Sequence, residues 1–259
     1  MNAARRRALA ALTALGAATV ARAQRRLNTA MHASACERLA TLAERIAKSQ
    51  VQVAEGVLAE RSRRAMRDSV AEFDALLPVV GGLAADAETR DNFVLLGLLW
   101  RELRTWSRKS ATREHARQVS DRAEEVSWVA SKTARLLRTD GTSQREGLAA
   151  MQAATAAQRV GRMLLLKRIV PGDARRDAEL MDATAKLGSM LSQLVGSPHT
   201  LDLEDDLRMA SAQYEFLLGA MREASGGEAA SAAELIAKTT DHITDSLERA
   251  ARLYENGAG

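Results

Sequence analysis

Basic side chains set inside apolar helical runs are the residues of this sequence best suited to chemistry. Arg38 and Arg45 lie in the run Glu37-Arg-Leu-Ala-Thr-Leu-Ala-Glu-Arg-Ile-Ala-Lys48, and Arg162, Lys167 and Arg168 lie in Gly161-Arg-Met-Leu-Leu-Leu-Lys-Arg-Ile169. An arginine on the inner face of a helical bundle must be paired or must bind an anion, because a buried, unpaired charge is costly. Its planar donor fork suits bidentate recognition of an oxyanion. A small-anion site is therefore one expectation for these five cations. The other is that they are solvated, or paired with neighbouring carboxylates such as Glu37 and Glu44.

Other chemistries find less support. The histidines are His32, His115, His199 and His242. His32 and Cys36 share a helix face at i, i+4, but no third ligand accompanies them, so neither a metal nor any other cofactor is expected. The Glu-x-x-His pattern of di-iron bundles and the c-type haem motif do not occur. Nor do G-x-S-x-G, a Gly-rich phosphate loop or H-E-x-x-H, and the chain is not expected to be an enzyme. Adjacent acidic pairs such as Glu124-Glu125 and Asp205-Asp206 diverge by about 100° on a helix, which suits solvated faces rather than acid/base pairs. Trp100, Trp106 and Trp128 are expected to fill the core or an interface.

The elements that must position these residues are helices. The chain has 259 residues, 46 % of them hydrophobic but only 3 % aromatic, and it contains three prolines. Ala, Leu, Arg and Glu dominate, all strong helix formers, and no alternating β-branched run suggests a sheet. Residues 1–23 have the anatomy of a secretory signal peptide: Arg5, Arg6 and Arg7, then the uncharged stretch Ala8 to Ala21, then Ala21 and Ala23 before Gln24. That stretch spans about 21 Å as a helix, short of the ~30 Å hydrocarbon core, so cleavage after Ala23 and release into the periplasm are expected rather than a stable membrane anchor. Four of the 37 Lys and Arg residues lie in this segment, leaving 33 against 33 Asp and Glu. A neutral mature chain offers no basic surface for nucleic acid. Cys36 is the only cysteine, which excludes an internal disulfide and suits a buried small hydrophobe.

Periodicity and breaks predict eight helices. The first covers about 27–57, with Leu39, Leu42, Ile46, Ser49 and Val53 as its apolar stripe. The second covers about 60–80 and is closed by Pro78 and Gly81-Gly82. A third follows the capping segment Asp86–Thr89; its stretch Phe93–Trp100 is apolar all round, which predicts central burial. The fourth runs to about 138, before the linker 139–143. The remaining four cover about 144–169, 174–195, 202–223 and 229–255, separated by Pro171-Gly172-Asp173, Gly196-Ser197-Pro198 and Ser225-Gly226-Gly227. The fold class expected is all-α: two tandem antiparallel four-helix units, 27–138 and 144–256. Their first helices carry Glu44-Arg45-Ile46 and Lys167-Arg168-Ile169, and their last helices end in Ala134-Arg-Leu-Leu137 and Ala251-Arg-Leu-Tyr254, which suggests internal duplication.

These residues also carry a family resemblance. The segments Asn28–Lys48 and Gln158–Ile169 resemble the first-helix signature N-x-A-G-R-Q-R-M-L-S-Q-R-I-A-K of the type IV pili methyl-accepting chemotaxis transducer N-terminal domain, the PilJ-like sensor domain. That domain is related to the helical input domains of nitrate/nitrite sensor kinases. Glu44-Arg-Ile-Ala-Lys48 resembles the end of the signature and Arg162-Met-Leu164 its centre; Trp100 and Trp128–Leu137 also resemble family positions. The resemblance covers most of 27–256. Ala40 and Thr41 stand where Arg-Met is expected, and Lys167 or Arg168 takes the place of the trailing Arg. The resemblance implies a small-anion site between two symmetric first helices, with the central Arg as ligand, a position only the second half keeps. It implies an exported sensor-type binding protein that lacks its own output domain and signals through a membrane-bound or pilus-associated partner. A helical adaptor of the cell envelope with no small ligand is the alternative. A cavity lined by arginine favours the first reading, and a filled apolar centre the second.

Overall fold

The computed structural model describes residues 32–82, 84, 86–137, 142–197, 200–224 and 229–256. The expected signal peptide, its cleavage point, the first residues of the expected first helix and most of the 139–143 linker lie outside the described residues. Among the described residues there are eight α-helices and no strand. They are α1 (32–54), α2 (Ala59–Gly81), α3 (Ala87–Ser107), α4 (Arg113–Leu136), α5 (Thr142–Leu166), α6 (Ala174–Gly196), α7 (Leu201–Ala224) and α8 (Ala229–Glu255).

Local chemistry sets the boundaries. Asp86 caps α3 by accepting from the Thr89 amide at 2.8 Å, Thr112 caps α4 from His115 at 3.2 Å, and Asp173 caps α6 from Arg176 at 3.2 Å. Each cap satisfies one orphan amide of a first turn and is worth about 1 kcal/mol. Gly56, at φ 73°, turns the chain between α1 and α2 in the left-handed region that glycine enters without steric cost. Pro78 does not close α2. It sits inside the helix, which continues to Gly81; only the last turn follows it, so a single backbone bond is forgone.

Helices α5–α8 form a ring in which α5 packs on α6 and α8, and α7 packs on the same two. Their core contains Leu165, Leu187, Leu207, Leu217, Ile243 and Leu247. Helices α1–α4 enclose a second core of Leu39, Leu42, Ile46, Phe73, Leu96, Trp100 and Val126. Each such side chain contributes about 1.5–3 kcal/mol on burial. Phe73 and Trp100 stack with ring centroids 3.8 Å apart, and Trp100 Nε1 donates to Asp74 at 2.9 Å. Val51, Val57 and Ala116 cross over to join the core of the other four helices.

One expectation is reversed. Helix α3 is not central: Val94, Leu95 and Leu98 are 66, 42 and 47 % exposed, while Phe93, Leu96, Trp100 and Leu103 are buried. One stripe of α3 meets the core and its remaining apolar residues face outward. The central helix is the polar α1, in which Glu37, Thr41, Glu44, Lys48, Ser49, Gln50 and Gln52 are buried together with Leu39, Leu42 and Ile46. Polar groups survive there because other helices supply partners. Gly161 marks the tightest approach: a Cβ at this position would lie 2.6 Å from Thr240 Oγ1 and 3.0 Å from Lys48 Cδ. Its missing side chain lets α1, α5 and α8 converge. No helix of the described residues is long and apolar enough to cross a membrane.

Candidate functional site

Helices α1 and α5 lie side by side and run in the same direction. The Thr41 and Thr155 hydroxyls are 2.8 Å apart, and further along Arg162 Nε donates to Glu44 Oε2 at 2.6 Å. Helix α8 packs on the other side of α1, antiparallel to it, where Lys48 Nζ donates to Asp241 Oδ1 at 2.6 Å and to Thr240 Oγ1 at 3.1 Å. Gln158 donates to the same Asp241 at 3.2 Å and to Thr244 at 2.9 Å. A seam of charged and hydroxyl side chains therefore runs between α1, α5 and α8. Burial pulls the Lys48 ammonium below the usual lysine range, while Asp241 pulls the other way. Asp241 is held below the usual carboxylate range, because Lys48 and Gln158 outweigh its burial.

The five predicted cations are not gathered into one cluster. Arg38 donates from Nε and Nη2 to Glu72 at 2.6 and 2.9 Å, and from Nη1 to Glu248. Arg45 donates to the same Glu248 at 2.9 Å, with Asp245 at 3.8 Å. Arg162 is turned away from both, toward Glu44 and Glu124. Lys167 pairs with Asp177 at 2.8 Å, and Arg168 lies 3.5 Å from Glu55. Like charges repel by about 4 kcal/mol at 4 Å and an effective dielectric of 20, so each cation settles on a carboxylate instead. Of the two acids expected as partners, Glu44 takes Arg162, while Glu37 accepts from the Ser131 hydroxyl at 2.8 Å.

Arg162 is the most buried of the five predicted cations. Its side chain is 3 % exposed. Nε is held by Glu44, and Nη1 lies 3.4 Å from the Ser120 carbonyl. Nη2 is buried with no hydrogen-bond partner, 3.5 Å from Glu124 Oε2. Burial alone would lower the guanidinium pKa, but Glu44 and Glu124 raise it, so the positive charge is secure. Arg162 opens on a cavity of about 260 Å³ whose other cations are Lys167, Arg175 and Arg176. Asp121, Glu124, Asp173, Asp177 and Glu179 share its lining. Glu124 is half-exposed and bridges two arginines, with Oε1 2.5 Å from Arg159 and Oε2 3.5 Å from Arg162 Nη2.

The cavity is one end of a cleft. Helix α4 supplies one wall and α6 the other, and α5 forms the floor; a wider groove of about 640 Å³ continues it past Met163 toward Gln152. From Gln152 to Lys167 the floor spans about 22 Å of helix. Trp128, expected in the core or an interface, is 60 % exposed and lines this groove. Cys36 is fully buried, and burial pushes its thiol up to about 12, with Glu37 adding to the shift. Among the described residues no cluster of His, Cys, Asp and Glu could hold a metal ion.

Sequence reasoning missed Lys48, Asp241 and Glu248 of the seam, and Arg175 and Arg176 of the cavity. One signal was available. Arg45 and Arg162 are 117 residues apart, and so are Glu124, beside Arg162, and Asp241, beside Lys48. Comparison of the chain with protein-family models, curated proteins and solved structures finds no match.

Proposed function

We propose that the chain is an exported, sensor-type helical binding protein that takes a small oxyanion at Arg162 and acts through a separate partner in the cell envelope. The observation that carries this reading is the buried Nη2 of Arg162, without a hydrogen-bond partner and 3.5 Å from Glu124, at a cavity lined by three further cations and five carboxylates. A planar oxyanion would accept from Nη2 and from Lys167 or Arg176, while Glu124 turns to Arg159. The PilJ-like resemblance of Arg162-Met-Leu164 points to the same arginine. The adjacency of α1 and α5 and the shared 117-residue spacing support the companion reading, an internal duplication that brings two first helices together. Export rests on residues 1–23. Intact mass of envelope-derived protein should lack Met1–Ala23, and a mass that includes Arg5–Arg7 would refute it.

The test is a thermal-shift series with nitrate, nitrite, phosphate and sulfate on mature protein. A ligand at 100 times its Kd adds about 2.7 kcal/mol of stability. The paired replacement Arg162→Met with Glu44→Met removes the guanidinium without stranding a carboxylate, and it should abolish the shift. A second reading, an adaptor with no small ligand, rests on the carboxylate that already accompanies each predicted cation. An absent shift with all four anions favours the adaptor.

A further inference from the structure

The wider groove of the cleft has its own buried, incompletely paired group, and its reading does not depend on the anion reading. Its floor holds Glu37, which is 1 % exposed. Ser131 donates to Glu37 Oε1 at 2.8 Å, and Oε2 is buried with no hydrogen-bond partner among the described residues. A buried carboxylate oxygen left in this way is a standing demand for a donor. The Thr155 hydroxyl is the wall's nearest donor to this carboxyl, but it is shared with the Thr41 hydroxyl and the Met151 carbonyl, which leaves room for a ligand donor at Oε2.

Charge narrows the ligand. Arg135, Arg159 and Lys186 line the groove, and so do Glu179 and Asp182. With Glu37 that is three cations against three carboxylates, a lining matched to a molecule carrying both signs. Arg135 and Lys186 line the same groove as Glu37, which suits a ligand that carries its two charges on one end. Apolar surface fixes the remainder: Ala156, Met163, Ala183 and Met190 face the space, and the half-exposed Trp128 forms part of its edge. Methionines adapt to side chains of varied shape.

We propose that this groove binds a free α-amino acid with an apolar side chain. Its ammonium group donates to Glu37 Oε2, its carboxylate is held by Arg135 and Lys186, since Arg159 is engaged by Glu124, and its side chain lies against Met163 and Met190. The arrangement rejects the two half-molecules. A bare amine answers Glu37 but supplies no carboxylate to Arg135 and Lys186. A bare carboxylate leaves Glu37 unanswered and faces Glu179 and Asp182.

The test uses the full chain and isothermal titration with L-leucine, 3-methylbutylamine and 4-methylpentanoate, which share one side chain. Tryptophan fluorescence reports occupancy through Trp128. L-leucine should bind at least tenfold more tightly than either half-molecule. Glu37→Gln, which keeps size and an acceptor for Ser131, should weaken L-leucine at least tenfold. Lys186→Ala, at an exposed position, provides a second variant with little risk to folding and should weaken it severalfold. The proposal is overturned if L-leucine does not bind, if either half-molecule binds as tightly, or if both variants bind L-leucine as the parent chain does. An unchanged nitrate response in Glu37→Gln would show that the two ends of the cleft act separately.

Discussion

Removing the Arg162 guanidinium should destabilise the protein severely, and the structure says by how much. Arg162 and Glu44 meet at 2.6 Å with side chains 3 and 0 % exposed. Arg162→Ala leaves Glu44 buried and uncompensated, which costs about 3–5 kcal/mol. For a chain of this size each kcal/mol lowers Tm by about 2–4 °C, so the fall should be on the order of 10 °C. The pair itself is imperfectly satisfied, since Glu44 Oε1 and Arg162 Nη2 both lack hydrogen-bond partners. Replacing both residues by methionine should therefore be neutral, or stabilising by about 1–4 kcal/mol. Urea denaturation of the parent, the two single variants and the double variant gives the coupling energy from a double-mutant cycle. Single-variant losses below about 1 kcal/mol, or a coupling near zero, would refute the desolvated pair.

Gly161→Ala should destabilise by about 1–3 kcal/mol through overpacking against Thr240 and Lys48, although the same change on an exposed helix gains about 1 kcal/mol; the thermal midpoint decides the sign. Burial raises the Glu37 pKa. The folded state therefore binds more protons than the unfolded state above the unfolded carboxylate pKa of about 4.3, and stability falls as pH rises from there through the folded value. Glu37→Gln should remove that part of the slope in denaturation curves measured at successive pH values; an identical slope in the variant would contradict the burial. Leu98→Gln, on the outward face of α3, should change stability by less than about 0.5 kcal/mol, whereas Leu96→Ala should cost about 2–5 kcal/mol. Chemical denaturation compares the two.

Helix breaks were legible because their causes are local. Asp86, Thr112 and Asp173 cap the helices that follow them, and Pro171-Gly172 and Gly56 turn the chain where a helix cannot continue. What surrounds each helix was not legible. The Leu39–Leu42–Ile46 stripe marks one face of α1 as buried, and its opposite face reads as solvent. That face is buried as well, because Arg162, Asp241 and Ser131 reach it from positions 118, 193 and 94 residues away. The apolar run of α3 misleads in the opposite sense, since composition does not say how many neighbours a helix has. At the site, Arg162 and its partner Glu44 could be named from residue type and spacing. The wall of α6 could not, because nothing in Arg175 or Arg176 distinguishes them from ordinary surface arginines until α6 is set beside α5.

The position of α1 has a consequence for the order in which the molecule assembles. Its ionic contacts with α8 join residues 193 to 210 positions apart, as in Lys48 with Asp241 and Arg38 with Glu248. Helical bundles ordinarily fold fast because their contacts are local, but here the central helix depends on a helix about 200 residues further along the chain. Until α8 arrives, Arg45 and Lys48 lack their Glu248 and Asp241 partners and Arg38 has only Glu72, so water remains the best environment for the first two. Docking of α8 therefore closes the polar face of α1, and the charged seam and the apolar cores are completed in the same step.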